Sequence, residues 1–156
     1  MLKGLYCLEI YNSKLQTVKV GKKYNIDFNR GYYIYIGSAL NGIECRVSRH
    51  LRNDKKLFWH IDYLLSNKNV IIKNIYYLSI RNCSTHKNTN YKKYFKKECE
   101  VAKSINPLTY PINHFGCSDC SCKSHLFFDI NNKIKNIEVL LIKKYGFKNY
   151  TFKIND

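Results

Sequence analysis

The chain has 156 residues, 45% of them apolar and 15% aromatic, and carries 27 Lys+Arg against 11 Asp+Glu, a formal net charge of +16. That composition excludes a disordered polyelectrolyte and a two-domain protein, leaving one domain with a real hydrophobic core, residues 1–156. No apolar run approaches the ~18 residues that cross a bilayer, so no membrane partner is expected, and the charge points to a polyanion, nucleic acid foremost.

In chain order, "GLYCLEIY" (4–11) and "LQTVKV" (15–20) read as strands around a turn at Asn12, Ser13 and Lys14. "GKKYNIDFNR" combines turn signals with a short extended piece, and "GYYIYIG" (31–37) is a further strand, so the N-terminal third predicts a small antiparallel sheet. Leu40, Ile43, Val47 and Leu51 recur at helical spacing. "FWHIDYLL" (58–65) suits a helix or a buried strand equally. "VIIKNIYYLSI" (70–80) reads as a strand, and 90–105 as an amphipathic helix ended by Asn106-Pro107. A cysteine-rich loop (115–124), a strand "HLFFDI", a helix from about Lys133 to Tyr145 and a last strand "FKNYTFKI" complete the chain. The expected class is α+β, with a core over about 4–128 and a helix-strand extension over 129–156.

Strand alternation puts Tyr6, Leu8 and Ile10 on one face with Glu9 opposite, and Tyr33 and Tyr35 opposite Tyr32, Ile34 and Ile36. A buried phenol needs a hydrogen-bond partner, so such tyrosines are bonded core residues or cleft residues. In the 40–51 helix, at about 100° per residue, Arg46 and His50 flank the apolar stripe, where a groove between helix and sheet would open. Arg49, Arg52, Lys55 and Lys56 extend the basic edge as a solvated face able to hold phosphates.

Glu98 falls in the middle of the apolar stripe of the 90–105 helix, while Glu100 faces solvent. A carboxylate facing the core costs several kcal/mol unless a cation or donor meets it. The candidates are Arg46, a divalent metal or a structural lysine. "CSDCSCKSH" gathers Cys117, Cys120, Cys122 and His125 within nine residues, with Asp119 as a cap or second acid. Its Cys-x2-Cys step has metal spacing, but Cys-x-Cys is tight, so a Zn²⁺ site and packed thiols both stand. Seven cysteines without a signal peptide suit a reducing cytoplasm. His60, His86 and His114 have no local context that singles them out.

"GLY" (4–6), "YIG" (35–37), Arg46, His50 and Glu98 occur in the order of the GIY-YIG nuclease superfamily. The longer series "GYYIYIGSAL", "RVSRHLR", "FWHIDYLL", "ECEVA" and "FGCSDCSCKSHLFF" resembles one archaeal branch of it, a domain of unknown function, over about Gly4 to Phe128. The resemblance implies a small mixed or antiparallel sheet with helices packed on it, here elaborated by an N-terminal hairpin and a Cys-rich C-terminal segment. It implies an endonuclease that hydrolyses DNA, DNA being favoured over RNA, with Mg²⁺ or Mn²⁺ on Glu98. Tyr6 and Tyr35 match the motif tyrosines, Gly37 the glycine, Arg46 the arginine and His50 the His-or-Tyr position. Either Tyr6 or His50 would take a proton from water. A module of the same fold that binds nucleic acid without turnover is the competing expectation.

Overall fold

A computed structural model describes residues 1–80 and 87–151, and of 87–91 the backbone alone. Six antiparallel strands form the main sheet in the order β6-β7-β4-β1-β5-β8: β1 (Gly4–Asn12), β4 (Gly31–Ala39), β5 (Val70–Ser79), β6 (Tyr110–Pro111), β7 (Leu126–Phe128) and β8 (Lys148–Asn149). The strands β2 (Gln16–Val20) and β3 (Tyr24–Phe28) form a separate ribbon. The helices are α1 (Ile43–Leu51), α2 (His60–Leu65), α3 (Lys87–Ile105) and α4 (Ile134–Val139), and α4 runs on into a wide π turn, Leu140–Lys144. The mixed class expected from the sequence is therefore observed. Among the described residues no helix is long and apolar enough to cross a membrane.

β1 lies at the sheet's centre because it is mostly apolar on both faces; Gly4 to Ile10 are all buried, and the one acid among them, Glu9, accepts from Asn74 (2.8 Å) and Tyr76 (3.2 Å). Tyr6, Leu8, Ile10, Tyr33 and Tyr35 pack under α1 (Ile43, Val47), α2 (Ile61, Leu64) and the ribbon (Val18, Val20, Phe28). Leu5, Cys7, Ile34 and Ile36 pack under α3 (Val101, Ala102, Ile105) and the C-terminal helix (Ile137, Leu141). Strand alternation predicts this division. The C-terminal segment, read as an extension, thus furnishes Ile137, Leu141, Tyr145 and Phe147 to the second core layer.

Two local expectations change. β1 and β2 flank a turn but do not pair: β1 is taken on both sides, by β4 and by β5, which leaves β2 to β3. Asn12 closes this junction, donating from Nδ2 to the carbonyls of Phe28 (3.1 Å) and Asn29 (2.9 Å) while its Oδ1 accepts from Gln16 (2.7 Å). The ambiguous 58–65 segment is helical from His60, because Asp62 Oδ2 accepts the amides of Phe58 (3.1 Å) and Trp59 (3.0 Å) at its first turn. Of the expected last strand, 148–149 are paired, and residues 152–154 lie outside the described residues.

Candidate active site and metal group

β4 outruns its neighbour β7, whose pairing stops at Tyr35↔Leu126, with one further bond from Ile36 N–H to the His125 carbonyl. Beyond that point Gly37 and Ser38 line a cavity of about 410 Å³. Tyr6, Tyr35, Arg46 and Glu98 line it as well, together with Phe58, Trp59, His60 and Phe95, and with Gly116, Ser118 and Asp119 of the cysteine loop. Four of the five sequence-predicted site residues thus reach one cavity from four elements. The fifth, His50, stands behind them, 3% exposed, with Nε2 2.8 Å from the Tyr6 hydroxyl.

Gly37 is a steric requirement. A Cβ there would sit 2.5 Å from both Cζ and Oη of Tyr6, inside the ring it must accommodate. Gly37→Ala is expected to push Tyr6 off His50 and to cost about 1–3 kcal/mol, the usual price of overpacking a filled site, read as a lower urea midpoint at unchanged m.

Burial raises the Tyr6 hydroxyl well above the ordinary phenol range; neighbouring Tyr35 and Glu98 push the same way and Arg46 offsets part of this. Burial raises Tyr35 too, with Glu98 adding and Arg46 opposing. His50 moves the other way: burial lowers its imidazole to about 4, partly offset by Asp62. At pH 7 it is a neutral imidazole facing a protonated phenol. The folded value lies below the unfolded value near 6.5, so this contribution to stability is whole above pH 6.5 and is lost as pH falls toward 4. Its full size is on the order of 3 kcal/mol. His50→Gln is expected to flatten the decline in stability between pH 6.5 and 5, measured by urea unfolding at stepped pH.

The arginines divide. Arg46 lies over the Trp59 ring, 4.1 Å from its centroid, and has no carboxylate partner among the described residues. Arg49 covers the same ring at 4.4 Å but is committed to Asp62 (2.6 Å) and to the Lys56 carbonyl (3.1 Å). Lys55 caps α1, donating to the carbonyls of His50 (2.7 Å) and Arg49 (3.3 Å). Of the four residues expected to hold phosphates, Arg52 and Lys56 are exposed, whereas Arg49 and Lys55 brace the scaffold because Asp62 and the helix end claim them.

Among the described residues Glu98 meets His125 and neither Arg46 nor a lysine. It is 5% exposed, and Oε1 is 2.9 Å from His125 Nδ1, because the loop entering β7 brings His125 against α3. Its second oxygen, Oε2, is buried without a hydrogen-bond partner. A bare carboxylate oxygen on a cavity holding an unpaired guanidinium fits a hard divalent cation that keeps most of its waters. Asp119 adds a second acid to the lining.

The cysteine motif is rearranged. Cys99, Cys120, Cys122 and His125 bring one ligand atom each within 4.8 Å of one another, a Cys3His group able to hold a metal ion. Cys117, expected in this set, lies outside it with its thiol on the Lys123 carbonyl. Cys99 takes its place, one residue after Glu98 on α3. None of the six described cysteines is in a disulfide. Burial raises the Cys99 and Cys122 thiols above the ordinary range.

Sequence reasoning missed Trp59, the platform for two arginines, and His60, whose Nδ1 accepts the Gly116 amide (3.1 Å) and ties the cysteine loop to α2. Only the tryptophan beside an exposed Phe58 offered a signal. His114 is exposed, and His86 lies outside the described residues.

A tyrosine pair on adjacent strands, a glycine under one ring, an arginine on the following helix and an inward glutamate thus line one cavity. The chain belongs to the family described as domain of unknown function DUF123, itself GIY-YIG-like, whose model matches residues 5–145. Neither the curated proteins nor the solved structures hold a match to it.

Proposed function

We propose that the chain is a divalent-metal-dependent endonuclease that hydrolyses phosphodiester bonds in DNA, in a cytoplasmic repair setting. The observation that carries this reading is the unpartnered Oε2 of Glu98, in a cavity shared with Arg46 and the Tyr6 hydroxyl. Glu98, with Asp119 beside it, would hold Mg²⁺ or Mn²⁺, and such an ion supplies charge stabilisation at the phosphoryl and leaving oxygens. Arg46, free of any carboxylate and steadied on Trp59, pairs with the phosphate.

Tyr6 is the group that touches the attacking water, since its side chain lines the cavity and that of His50 does not. As the water proton passes to the phenol oxygen, the phenol proton passes to neutral His50 Nε2, so the pair moves one proton without a buried tyrosinate. Arg52 and Lys56 hold the flanking strand. The preference for DNA over RNA rests on the family resemblance.

The Cys3His group takes Zn²⁺ in this reading, since thiolate and imidazole donors suit zinc and not Mg²⁺.

Phe58 favours a second reading. It is 75% exposed on the cavity rim beside Trp59, a ring on which a base can stack, as in a binding module without turnover. Duplex, flapped, branched and lesion-bearing DNA incubated with Mg²⁺ or Mn²⁺ separates the two: product lost in Glu98→Gln supports the nuclease, and no product with either ion overturns it. In both readings Arg52→Ala is expected to lower affinity uniformly across sequences and to reduce the slope of log K against log salt by about one, measured by fluorescence anisotropy.

A further inference from the structure

His125 stands between the two candidate metal sites. Its Nδ1 lies 2.9 Å from Glu98 Oε1, and its Nε2 lies 3.4 Å from Cys120 Sγ, inside the group completed by Cys99 and Cys122. Tetrahedral zinc, with Zn–S near 2.3 Å and Zn–N near 2.0 Å, places its ligand atoms roughly 3.5–3.8 Å apart. The group spans at most 4.8 Å, so closing it on an ion needs shifts of about 1 Å.

We propose that a zinc ion on Cys99, Cys120, Cys122 and His125 Nε2 positions Glu98 through the His125 ring, so that a structural metal sets the geometry of the carboxylate facing the cavity. This rests on the reading of Glu98 as the cation ligand. A metal on Nε2 leaves the ring proton on Nδ1, which makes Nδ1–H a permanent donor to Oε1 and turns Oε2 to the cavity. Without the metal both tautomers are open to the ring, and the one with a bare Nδ1 sets two acceptors face to face, so the carboxylate's orientation is no longer fixed. Cys99 anchors the ion to α3 next to Glu98, while Cys120, Cys122 and His125 anchor it to the loop before β7. The ion therefore also ties that loop, with Asp119 on it, to the helix that bears Glu98.

The test uses the full chain purified without chelator. Elemental analysis is expected to find one zinc per chain, lost in Cys99→Ser and kept in Cys117→Ser. A zinc-free preparation, or the reverse pattern, would overturn the assignment. The cobalt-substituted protein is expected to show thiolate charge-transfer and tetrahedral d–d bands, and Glu98→Gln, at unchanged cobalt stoichiometry, to displace the d–d bands. Unmoved bands would overturn the coupling, since a merely structural metal does not sense that carboxylate. Mn²⁺ binding, followed by electron paramagnetic resonance, is expected to weaken 10–100-fold in His125→Asn or after zinc removal. Unchanged Mn²⁺ affinity in zinc-free, folded protein would also overturn it. If the wild-type chain binds no Mn²⁺, the nuclease reading falls, and the cobalt spectra alone decide the zinc–His125–Glu98 link.

Discussion

Glu98→Gln is expected to abolish Mg²⁺-dependent cleavage, by at least about 10³-fold in kcat, while leaving DNA affinity near its original value. Glutamine is isosteric, so its carbonyl oxygen can still accept from His125 Nδ1 where Oε1 does now. What changes is the second position: the bare Oε2 becomes an amide NH2, which repels a cation. The fold and the basic surface stay, so anisotropy titrations should give nearly the same Kd and salt slope for both proteins. Unchanged cleavage would remove Glu98 from the reaction, and equal losses of cleavage and binding would mark it as a structural ion-pair residue.

Tyr6→Phe is expected to lower kcat by about 10²–10⁴-fold with KM little changed, the range for loss of a positioned proton acceptor. Deleting the hydroxyl also strips His50 Nε2 of its partner at 2.8 Å, and leaving a buried ring nitrogen unsatisfied costs about 1–3 kcal/mol. Single-turnover rates at fixed pH, set beside urea midpoints, separate these effects. His50→Gln keeps a polar atom near the Nε2 position but cannot take up the phenol proton, so in the proposed relay it should lower kcat by a factor similar to that of Tyr6→Phe. A Tyr6→Phe protein with undiminished kcat would move the proton to another acid on the cavity, and Asp119 is the one in place.

The proposed role of Tyr6 differs from the choice that reference pKa values alone would favour. An imidazole titrating near 6.5 is a better base than a phenol titrating near 10, which favours His50. Position decides otherwise: His50 does not line the cavity, so in the proposed relay the Tyr6 hydroxyl takes the water proton and passes its own to His50.

Periodicity made much of the architecture legible. The alternation of β1 and β4 divides Tyr6 and Tyr35 from Leu5, Cys7, Ile34 and Ile36, and these are the two core layers observed. The stripe of α3 singles out Glu98 as an acid that must be met, and it is met. Arg46 and His50, at the border of the α1 stripe, reach the cavity and the Tyr6 hydroxyl respectively. Each inference needed only a strand or helix period and the cost of burying charge, and both act over a few residues.

Partner identity was not legible in the same way. Glu98 meets His125, Arg49 meets Asp62, and Cys99 replaces Cys117 beside the other cysteines. Each pair joins different elements, so its formation depends on how α3 lies against the loop before β7, or α1 against α2. Spacing within one motif favours near neighbours such as Cys117 and Cys120. Here the turn sends the Cys117 thiol to Lys123 O, while α3 delivers Cys99 to the group.

The sequence by itself determined the class of fold, the two faces of the central strands and the presence of an inward acid, because hydrophobic period and desolvation are local constraints. Only the tertiary structure decided what that acid touches, which basic residues remain unpaired and which thiols gather. Those contacts join different elements, α1 with α2 and α3 with the loop before β7, and arise only once those elements have packed on the sheet.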